Sequence, residues 1–380
     1  MLPTLDELQA LPPELLHEFI ALTLNPASLA VIVRLVELGI IEQAVADGGT
    51  SLAALGDRDP EPQTDRHERA AVSLEMALEL GAGLGLLTVL DGRVHATALS
   101  ATFLASGSRL RLLGHVEHYA SYLPAAAAIG RALVSTRRSR RSMWSTGRPR
   151  EEHDGYFAAR QAYNESRRAY FWDSSYLLLR AHLRRTLCGH RRVCDVGAGP
   201  AGFAALLAKC FPSLHVCAVE ANLAHDDYRR RTEQALRAEG VEVELLGTNA
   251  LLDPLPPGLD LVTFNRLLSG VPRDGVDAWL QRAYEGLVGG GVLAAVDYAM
   301  TGDPAHDRAV ALVVAHWMGK DCHVLAKSPP SDPHDDKHQW GWSRPWHAQE
   351  LCEALRRAGF QHVGFAPADG PFTLIHGTRP

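Results

Sequence analysis

The sequence is poor in cysteine and has no excess of positive charge. It contains six cysteines among 380 residues, and none of them forms a Cys-x-x-Cys motif. They stand in apolar stretches, so we expect small core side chains in a reduced compartment, not disulfides or zinc ligands. The 38 basic residues are outnumbered by 44 acidic ones, which gives a net charge of −6 and argues against a polyanion as partner of the whole surface.

No apolar run approaches the ~18–20 residues that cross a bilayer. The N-terminal segment carries Asp6, Glu7 and Glu14, where a secretory signal would carry positive charge. We therefore expect a cytoplasmic protein without a membrane partner. A composition of 46% hydrophobic and 22% charged residues is that of a globular chain. The length predicts two or three domains of ~150 residues.

Shifts in composition divide the chain into three parts. Residues 1–135 predict a mainly helical domain, residues 136–185 a connector with helices that cover a pocket, and residues 186–380 an α/β domain. The connector region contains seven arginines and no acid between Arg131 and Arg150. Such a run is typical of a solvated connector; the alternatives are a basic rim that steers an anionic substrate, or a mobile lid.

The first domain has the pattern of a winged helix. Residues 16–45 repeat apolar residues at i, i+3 and i+4, which predicts helices. Asp91-Gly92 separates two alternating runs, LLTVL and RVHAT, and so predicts a hairpin. A winged helix can bind DNA, but residues 57–79, which would hold the recognition helix, carry seven acidic residues and three arginines. Phosphate contacts need the opposite charge, so we expect a packing or dimerisation module and no nucleic-acid partner.

From about residue 190 strand-like and helical patterns alternate. The segments VCDV, LHVCAVE, VEVELLG, LDLVTFN and GVLAAVD predict strands, and helical segments lie between most of them. Such alternation predicts a parallel sheet with helices on both faces. The tail, FQHVGFAPADGPFTLIHG, predicts two strands joined by a turn. The expected fold class is α/β: a doubly wound, mostly parallel Rossmann-like sheet with a C-terminal β-hairpin, which is unusual for a nicotinamide-binding domain.

A glycine-rich loop follows the first of these strands. Gly197, Gly199 and Gly202 satisfy Gly-x-Gly-x-x-Gly, a spacing that lets the backbone turn tightly and approach a ligand. The motif alone also fits a dinucleotide. Asp195, two residues before the first glycine, would repel a phosphate but suits an ammonium or sulfonium group, and Glu220 suits both ribose hydroxyls. These residues favour S-adenosyl-L-methionine; an NAD-dependent oxidoreductase is the alternative, and Asp195 argues against it.

Several segments together resemble the small-molecule O-methyltransferase family, class I enzymes that use S-adenosylmethionine and carry an N-terminal winged-helix dimerisation domain. The matching segments are AVIVRLVELGI, LGLLTVLDGRVHATALSATFL, VCDVGAGPAGFAALLAKCFPSLHVCAVE, GLDLVTFNRLLSGVP and GLVGGGVLAAVD. The resemblance covers nearly the whole chain. It implies methyl transfer to a small aromatic or enolic metabolite in natural-product tailoring, and a homodimer with interleaved N-terminal helices.

The resemblance also implies a set of cofactor-binding residues. They are Asp195, Gly197, Gly199, Gly202, Glu220, Asn249, Asn265 and Arg266. Asn249 would contact the adenine, with Thr248 as the alternative, and Asn265 and Arg266 would line the methionine end. The family often has its third glycine at the position of Ala201, which is a small departure.

A larger departure occurs where the family places its general base. After the fourth strand the family has a His-Asp pair, whereas this chain has Ser269 and Gly270. A serine hydroxyl is too weak a base near neutral pH, so carbon, oxygen and nitrogen all remain open as acceptor atoms. His316 and His323, on a predicted helix after the last parallel strand, are the candidates for a replacement base, because a histidine titrates near working pH.

Aromatic side chains supply candidates for the acceptor pocket. Tyr163 and Trp172, and also Trp317 and Met318 beside His316, would suit a flat ring. The alternative for each of them is a place in the core.

The segment 320–347 is rich in His, Asp and Trp. His334 and His338 have helical ligand spacing, but the neighbouring prolines argue against a preceding helix, so we expect a solvated loop or substrate lid and no metal. The missing base and the winged helix also allow a third function, a non-catalytic ligand-sensing regulator. The acidic character of residues 57–79 argues against its DNA-binding form.

Overall fold

The computed structural model describes residues 1–51, 54–55, 74–121, 123, 165–183, 189, 191–271, 275–327 and 346–380; of residue 75 and residues 316–327 it describes the backbone only. The helices within this part of the chain are α1 (Leu5–Ala10), α2 (Pro13–Leu24), α3 (Pro26–Glu37), α4 (Ile40–Ala46), α5 (Leu74–Gly83), α6 (Ala98–Phe103), α7 (Leu113–Ala120), α8 (Arg168–Asp173), α9 (Ser175–Leu183), α10 (Gly202–Cys210), α11 (Asp226–Glu239), α12 (Val276–Gly286), α13 (Pro304–Lys327) and α14 (Ala348–Arg357). The strands are β1 (Thr50–Ser51), β2 (Leu87–Leu90), β3 (Arg93–Ala96), β4 (Arg192–Val196), β5 (His215–Val219), β6 (Glu244–Leu246), β7 (Leu259–Asn265), β8 (Leu287–Asp297), β9 (Ala299–Met300), β10 (Trp346–His347), β11 (Gln361–Pro367) and β12 (Thr373–Thr378).

The apolar stretch at residues 16–45 folds as α2, α3 and α4, as its periodicity predicts. Asn25 ends α2, and its side-chain oxygen accepts the N–H groups of Ala27 (2.9 Å) and Ser28 (3.3 Å), which caps α3. Pro26 opens α3, where its missing N–H breaks no helical bond. Gly39, with φ of 66°, allows the chain to turn before α4.

The predicted hairpin is confirmed. β2 and β3 pair antiparallel with Leu90 opposite Arg93. The connecting residues Asp91 and Gly92 have φ values of 51° and 71°, as a type I′ turn requires. β1 pairs with the other edge of β3, so the small sheet has the order β1-β3-β2. Residues 56–73, which hold most of the predicted recognition segment, lie outside the described residues.

The α/β part contains a seven-stranded sheet in the order β11-β12-β8-β7-β4-β5-β6. The pairs β4–β5, β4–β7, β5–β6 and β7–β8 are parallel, whereas β12 is antiparallel to β8 and to β11. The predicted mostly parallel sheet with a C-terminal hairpin is therefore confirmed. Chain order reverses across β4, which makes the loop after β4 the switch point where ligands bind in open α/β sheets.

Helices cover both faces of this sheet. One hydrophobic cluster joins the N-terminal helices to α9 and α10 and to one face, through side chains such as Val193 and Ala218. The other cluster joins α12 and α14 to the opposite face, through Cys194 and Cys217. Neighbouring residues of one strand thus point to opposite clusters, as the alternation of a strand requires.

A buried ion pair fixes the N-terminal helices to the sheet. Arg180 on α9 is 9% exposed, and its Nε donates to Oδ2 of Asp369 (2.7 Å). Its Nη1 donates to the carbonyl oxygens of Leu8 (2.8 Å) and Leu11 (2.9 Å). Three acceptors from two distant regions of the chain therefore meet at one guanidinium.

Among the described residues, no single helix is long and apolar enough to cross a membrane. The helices Pro13–Leu24 and Pro26–Glu37 reach the necessary length and apolar composition only together, and a 100° bend separates them. Both helices contribute side chains to the hydrophobic core.

Candidate functional site

The glycine loop leaves β4 in a left-handed conformation. Gly197 and Gly199 have φ values of 69° and 54°, which L side chains rarely adopt. The N–H groups of Gly197 and Ala198 both donate to the carbonyl oxygen of Val219 (2.8 and 3.2 Å), so the loop is tied to the end of β5. A Cβ on Gly199 would meet nothing within 4 Å, so this side of the loop is open space.

Asp195 is the buried carboxylate at the end of β4. It is 1% exposed, and its Oδ1 accepts hydrogen bonds from Thr263 Oγ1 (3.0 Å) and Asn265 Nδ2 (2.8 Å). Burial raises the pKa of Asp195 to about 7, although these hydrogen bonds and the charge of Arg266 lower it. The Asp195 carboxyl group is therefore largely protonated below about pH 7, and a bound cation would favour its ionised form.

His182 on α9 orients the side-chain amide of Asn265. His182 Nε2 lies 2.9 Å from Asn265 Oδ1, while Asn265 Nδ2 bonds to Asp195. Burial lowers the pKa of His182 to about 4, so the ring is neutral near pH 7 and Nε2 carries the donated proton. Asn265, predicted for the methionine end, therefore lies beside Asp195.

Glu220 follows β5 and faces the glycine loop. It is 8% exposed; its Oε2 accepts the N–H of Gly199 (3.1 Å), and its Oε1 accepts the backbone N–H (3.1 Å) and Nδ2 (2.7 Å) of Asn222. Three donors hold the carboxylate in one orientation. The loop N–H that a phosphate would use in a dinucleotide-binding fold is thus already bonded to a carboxylate.

Asn249 presents a buried donor near the same edge of the sheet. Its residue is 5% exposed and its Oδ1 accepts the N–H of Leu251 (3.1 Å). Its Nδ2 is buried and has no hydrogen-bond partner within the described part of the chain. Buried donors without partners are rare in proteins, and this one is available to an acceptor atom of a ligand.

Helix α8 packs directly on the glycine loop. A Cβ on Gly202 would lie 2.9 Å from the carbonyl oxygen of Phe171 and 3.0 Å from Cα of Trp172, so only glycine fits at this contact. Trp172, predicted as a substrate residue, donates from Nε1 to the carbonyl oxygen of Pro200 (3.2 Å). The indole thus touches the loop itself.

Arg266 follows β7 with φ of 54°, in the left-handed region. Its N–H donates to the carbonyl oxygen of Val296 (2.8 Å), and Nη1 donates to Ser174 Oγ (3.1 Å). The guanidinium carbon lies 4.7 Å from the ring centre of Tyr170 and 5.2 Å from that of Phe171. Arg266 was predicted for the methionine end; its side chain lies against α8.

Ser269, at the position of the missing base, lies in the 3₁₀ helix Leu268–Gly270. Its backbone N–H donates to Oδ2 of Asp297 (2.9 Å), the last residue of β8. Asp297 is 1% exposed, and burial raises its pKa. No motif in the sequence marks this carboxyl group; its position at the carboxyl end of a parallel strand is the signal that could have identified it.

The roles predicted for the remaining candidate residues stay predictions, because their side chains lie outside the described part of the chain. Tyr163 lies outside the described residues, as do His334 and His338. Four of them lie on α13, where the structure describes the backbone only: His316, Trp317, Met318 and His323. Within the described residues, no group of three or more His, Cys, Asp or Glu side chains could hold a metal ion.

The structure also places an aromatic and imidazole cluster beside Arg266. His115 and Tyr119 of α7 lie with their ring centres 4.6 Å apart, His118 stacks on Tyr170 of α8 at 3.9 Å, and Tyr170 Oη lies 3.4 Å from Tyr298 Oη. These residues are not among those predicted from the sequence. The signal was the spacing of His115, His118 and Tyr119 at i, i+3 and i+4, which puts them on one helix face.

Comparison with solved structures identifies the fold. The S-adenosylmethionine-dependent methyltransferase SibL in its apo form is 20% identical, with a TM-score of 0.64, over 93% of this chain and 96% of that chain. Human N-acetylserotonin methyltransferase in complex with SAM is 16% identical, with a TM-score of 0.67, over 93% and 94%. CalO1, a methyltransferase in calicheamicin biosynthesis in its SAH-bound form, is 16% identical, with a TM-score of 0.65, over 93% and 94%. Neither a protein-family model nor a curated relative matches the sequence. The chain therefore has the Rossmann-like methyltransferase fold that the resemblance implied.

Proposed function

We propose that this protein is an S-adenosylmethionine-dependent methyltransferase that acts on a small, aromatic metabolite. The observation that carries the proposal is the pair of buried carboxylates, Asp195 and Glu220, on either side of a glycine loop at the switch point of the sheet. Asp195 beside the loop would repel a pyrophosphate, whereas the two acids together suit a ligand that carries a cationic end and a ribose. The solved structures that contain SAM or SAH on the same fold agree with this choice.

The described residues fit the cofactor at each of its ends. The Glu220 carboxylate would accept the ribose hydroxyls, and the buried Nδ2 of Asn249 would donate to the adenine. The open space at Gly199 would admit the ligand next to the backbone. Asp195 would compensate the charge of the amino-acid end. The cofactor supplies a methyl group on a positively charged sulfur.

The acceptor atom is a carbon or an oxygen, because Ser269 stands where the family has its histidine base. Methyl transfer from a sulfonium depends mainly on a well-placed nucleophile in a site without water. Ser269 is tied through its backbone N–H to Asp297 and offers no basic nitrogen. His316 and His323 stay the candidates for a base on α13.

We also propose a homodimer formed through the N-terminal part, residues 1–135, with residues 136–185 covering the pocket and residues 186–380 binding the cofactor. Apolar side chains exposed on α5 and on the hairpin support an interface there: Leu80 is 43%, Val89 45% and Leu90 61% exposed. Light scattering after size-exclusion chromatography tests this. Leu90→Glu should shift a wild-type dimer towards a monomer, and a wild-type monomer would contradict the proposal.

The cofactor assignment is tested by calorimetric titration with S-adenosylhomocysteine, with NAD in parallel. Glu220→Gln should weaken S-adenosylhomocysteine binding about 10- to 100-fold, since hydrogen bonds to a charged group contribute about 1.5–3 kcal/mol. Glu244→Gln is the matched control, because Glu244 is exposed on β6 and pairs with Arg192 and His215 at the surface. Binding of NAD, or equal affinity in both variants, would contradict the proposal.

A further inference from the structure

Asn265 stands between a carboxylate and an imidazole that are both buried. Its Nδ2 donates to Oδ1 of Asp195 (2.8 Å), and its Oδ1 lies 2.9 Å from Nε2 of His182. Asp195 is 1% exposed, and His182 is fully buried. Thr263 Oγ1 donates to the same carboxylate oxygen (3.0 Å). A side chain of α9 is thus linked, through one amide on β7, to the carboxylate beside the glycine loop.

A side-chain amide fits the same space in two orientations. A rotation of 180° about its last bond exchanges the donor for the acceptor while the shape stays almost the same. An ionised carboxylate only accepts hydrogen bonds, so it requires Nδ2 of Asn265 towards Asp195. The reversed amide would place its oxygen against the carboxylate and would favour the protonated form. The orientation of this amide therefore bears on the charge of Asp195.

His182 favours the orientation that donates to Asp195. In this orientation Oδ1 of Asn265 faces the imidazole, and because an amide oxygen only accepts, Nε2 of His182 carries a proton. Burial lowers the pKa of His182 to about 4, so near pH 7 the ring is neutral and carries a single proton. With that proton on Nε2, the reversed amide would bring two donors together. The imidazole thus opposes the reversal of the amide.

The imidazole is itself held in place by packing. The ring centre of Phe203 on α10 lies 5.2 Å from that of His182. One turn earlier on α9, Arg180 forms the buried ion pair with Asp369 that fixes this helix to the rest of the protein. A ring that packing already holds presents its donor with little further loss of conformational entropy.

Charged and titratable groups from neighbouring elements also act on Asp195. The charge of Arg266, which follows β7, favours the ionised carboxylate, whereas that of Glu220, which follows β5, opposes it. The thiol of Cys194, next to Asp195 on β4, keeps its proton, because its hydrogen bond with Cys217 and its burial raise its pKa. All of these groups remain when the histidine on α9 is replaced. A changed pH profile in such a variant would therefore report on the amide.

We propose that His182 is a positioning residue for cofactor binding, because it holds the Asn265 amide in the orientation that donates to the Asp195 carboxylate. The inference rests on the proposed methyltransferase function. His182 acts through Asn265, and it neither takes up nor gives up a proton. It keeps the carboxylate in the ionised form that a cationic ligand requires.

Calorimetric titration with S-adenosylhomocysteine between about pH 6 and about pH 8.5 tests this role. His182→Leu removes the donor at a similar side-chain volume. A hydrogen bond to a charged group is strong enough to move a pKa by about one unit, so the midpoint of the pH profile should rise by about one unit. At about pH 6 the Kd should be roughly 10-fold above that of wild type, whereas at about pH 8.5 the two should agree within about twofold.

Matched variants separate the donor from its packing. His182→Gln keeps an N–H donor and should restore the wild-type profile. His182→Met is a second variant without a donor, for use if His182→Leu does not fold. His306→Leu removes another buried histidine, at the start of α13, whose Nε2 lies 2.8 Å from Thr373 Oγ1. This control should keep the wild-type pH profile.

The outcomes distinguish this inference from the function on which it rests. If wild type binds S-adenosylhomocysteine but the donor-free variants keep its pH profile, or bind more weakly by the same factor at every pH, His182 has no positioning role and the cofactor assignment stands. The inference is also wrong if His182→Gln behaves as His182→Leu does, or if the wild-type profile is flat. If wild type binds no S-adenosylhomocysteine, the proposed function itself is wrong.

Discussion

The affinity for the cofactor should depend on pH through Asp195. Burial raises the pKa of this carboxyl to about 7, so the unliganded protein holds it protonated at lower pH. A cationic ligand requires the ionised form and should lower the pKa in the complex. Affinity should therefore fall as pH falls through about 7. The α-amino group of the ligand keeps its charge over this window, because the adjacent carboxylate raises its pKa above the ~7.7–8.0 of a peptide N-terminus.

The size of the effect follows from the pKa. Below it, each pH unit costs about 1.4 kcal/mol, or a factor of ten in Kd. Between about pH 7 and about pH 5.5 the loss should be roughly 15-fold, if the pKa in the complex lies below this range. His182, the nearest titrating histidine in this hydrogen-bonded chain, has a pKa lowered to about 4 and contributes little here.

Calorimetric titration with S-adenosylhomocysteine across this pH range measures the slope. Asp195→Asn should bind more weakly and with no pH dependence. Asp297→Asn is the matched control: Asp297 is also buried at the end of a parallel strand, but it bonds to the backbone of Ser269 and Tyr298, so its variant should keep the slope. A flat wild-type profile, or the same slope in Asp195→Asn, would refute the role given to Asp195.

The remaining predictions concern stability. Asp369→Asn leaves Arg180 as an uncompensated buried charge and should lower the free energy of unfolding by about 3 kcal/mol. Asp277→Asn breaks only the exposed pair with Arg357 (2.9 Å) and should lower it by less than about 1 kcal/mol. Urea unfolding measures both losses, and equal losses would contradict the argument. Ala201 has φ of 61°, so Ala201→Gly should raise the unfolding free energy by about 1 kcal/mol. Gly202→Ala should instead lower it by about 1–3 kcal/mol, because the new Cβ would meet the carbonyl oxygen of Phe171 at 2.9 Å; a melting temperature unchanged in both would show that the loop relaxes freely.

The sheet could be predicted from the sequence because each strand is a short apolar run with its own turn signals. The hairpin at Asp91-Gly92 and the strand before Gly197 are local patterns, and the structure has both. The β6 strand is shorter than the segment VEVELLG, because only Glu244–Leu246 pair with β5. Register and pairing depend on a neighbour that the local sequence does not reveal.

The aromatic and imidazole cluster beside Arg266 could not be predicted in the same way. Asp195 and Glu220 belong to one motif, whereas His115, Tyr170 and Arg266 come from segments more than 50 residues apart. Nothing in the sequence of α7 indicates that its histidine face meets the end of β7. The contact between His115 Nε2 and Thr23 Oγ1 on α2 (3.1 Å) likewise depends on tertiary packing.

Helix α8 has a consequence for the order in which ligands bind. One side of this short helix touches the glycine loop at Gly202 and Pro200, and its Tyr170 lies between His118 and Arg266. Any shift of the loop on cofactor binding would therefore move α8 and with it Trp172, the candidate for the acceptor pocket that bonds to Pro200. We expect a compulsory sequence in steady-state kinetics, in which the cofactor enters before the acceptor and the demethylated cofactor leaves last.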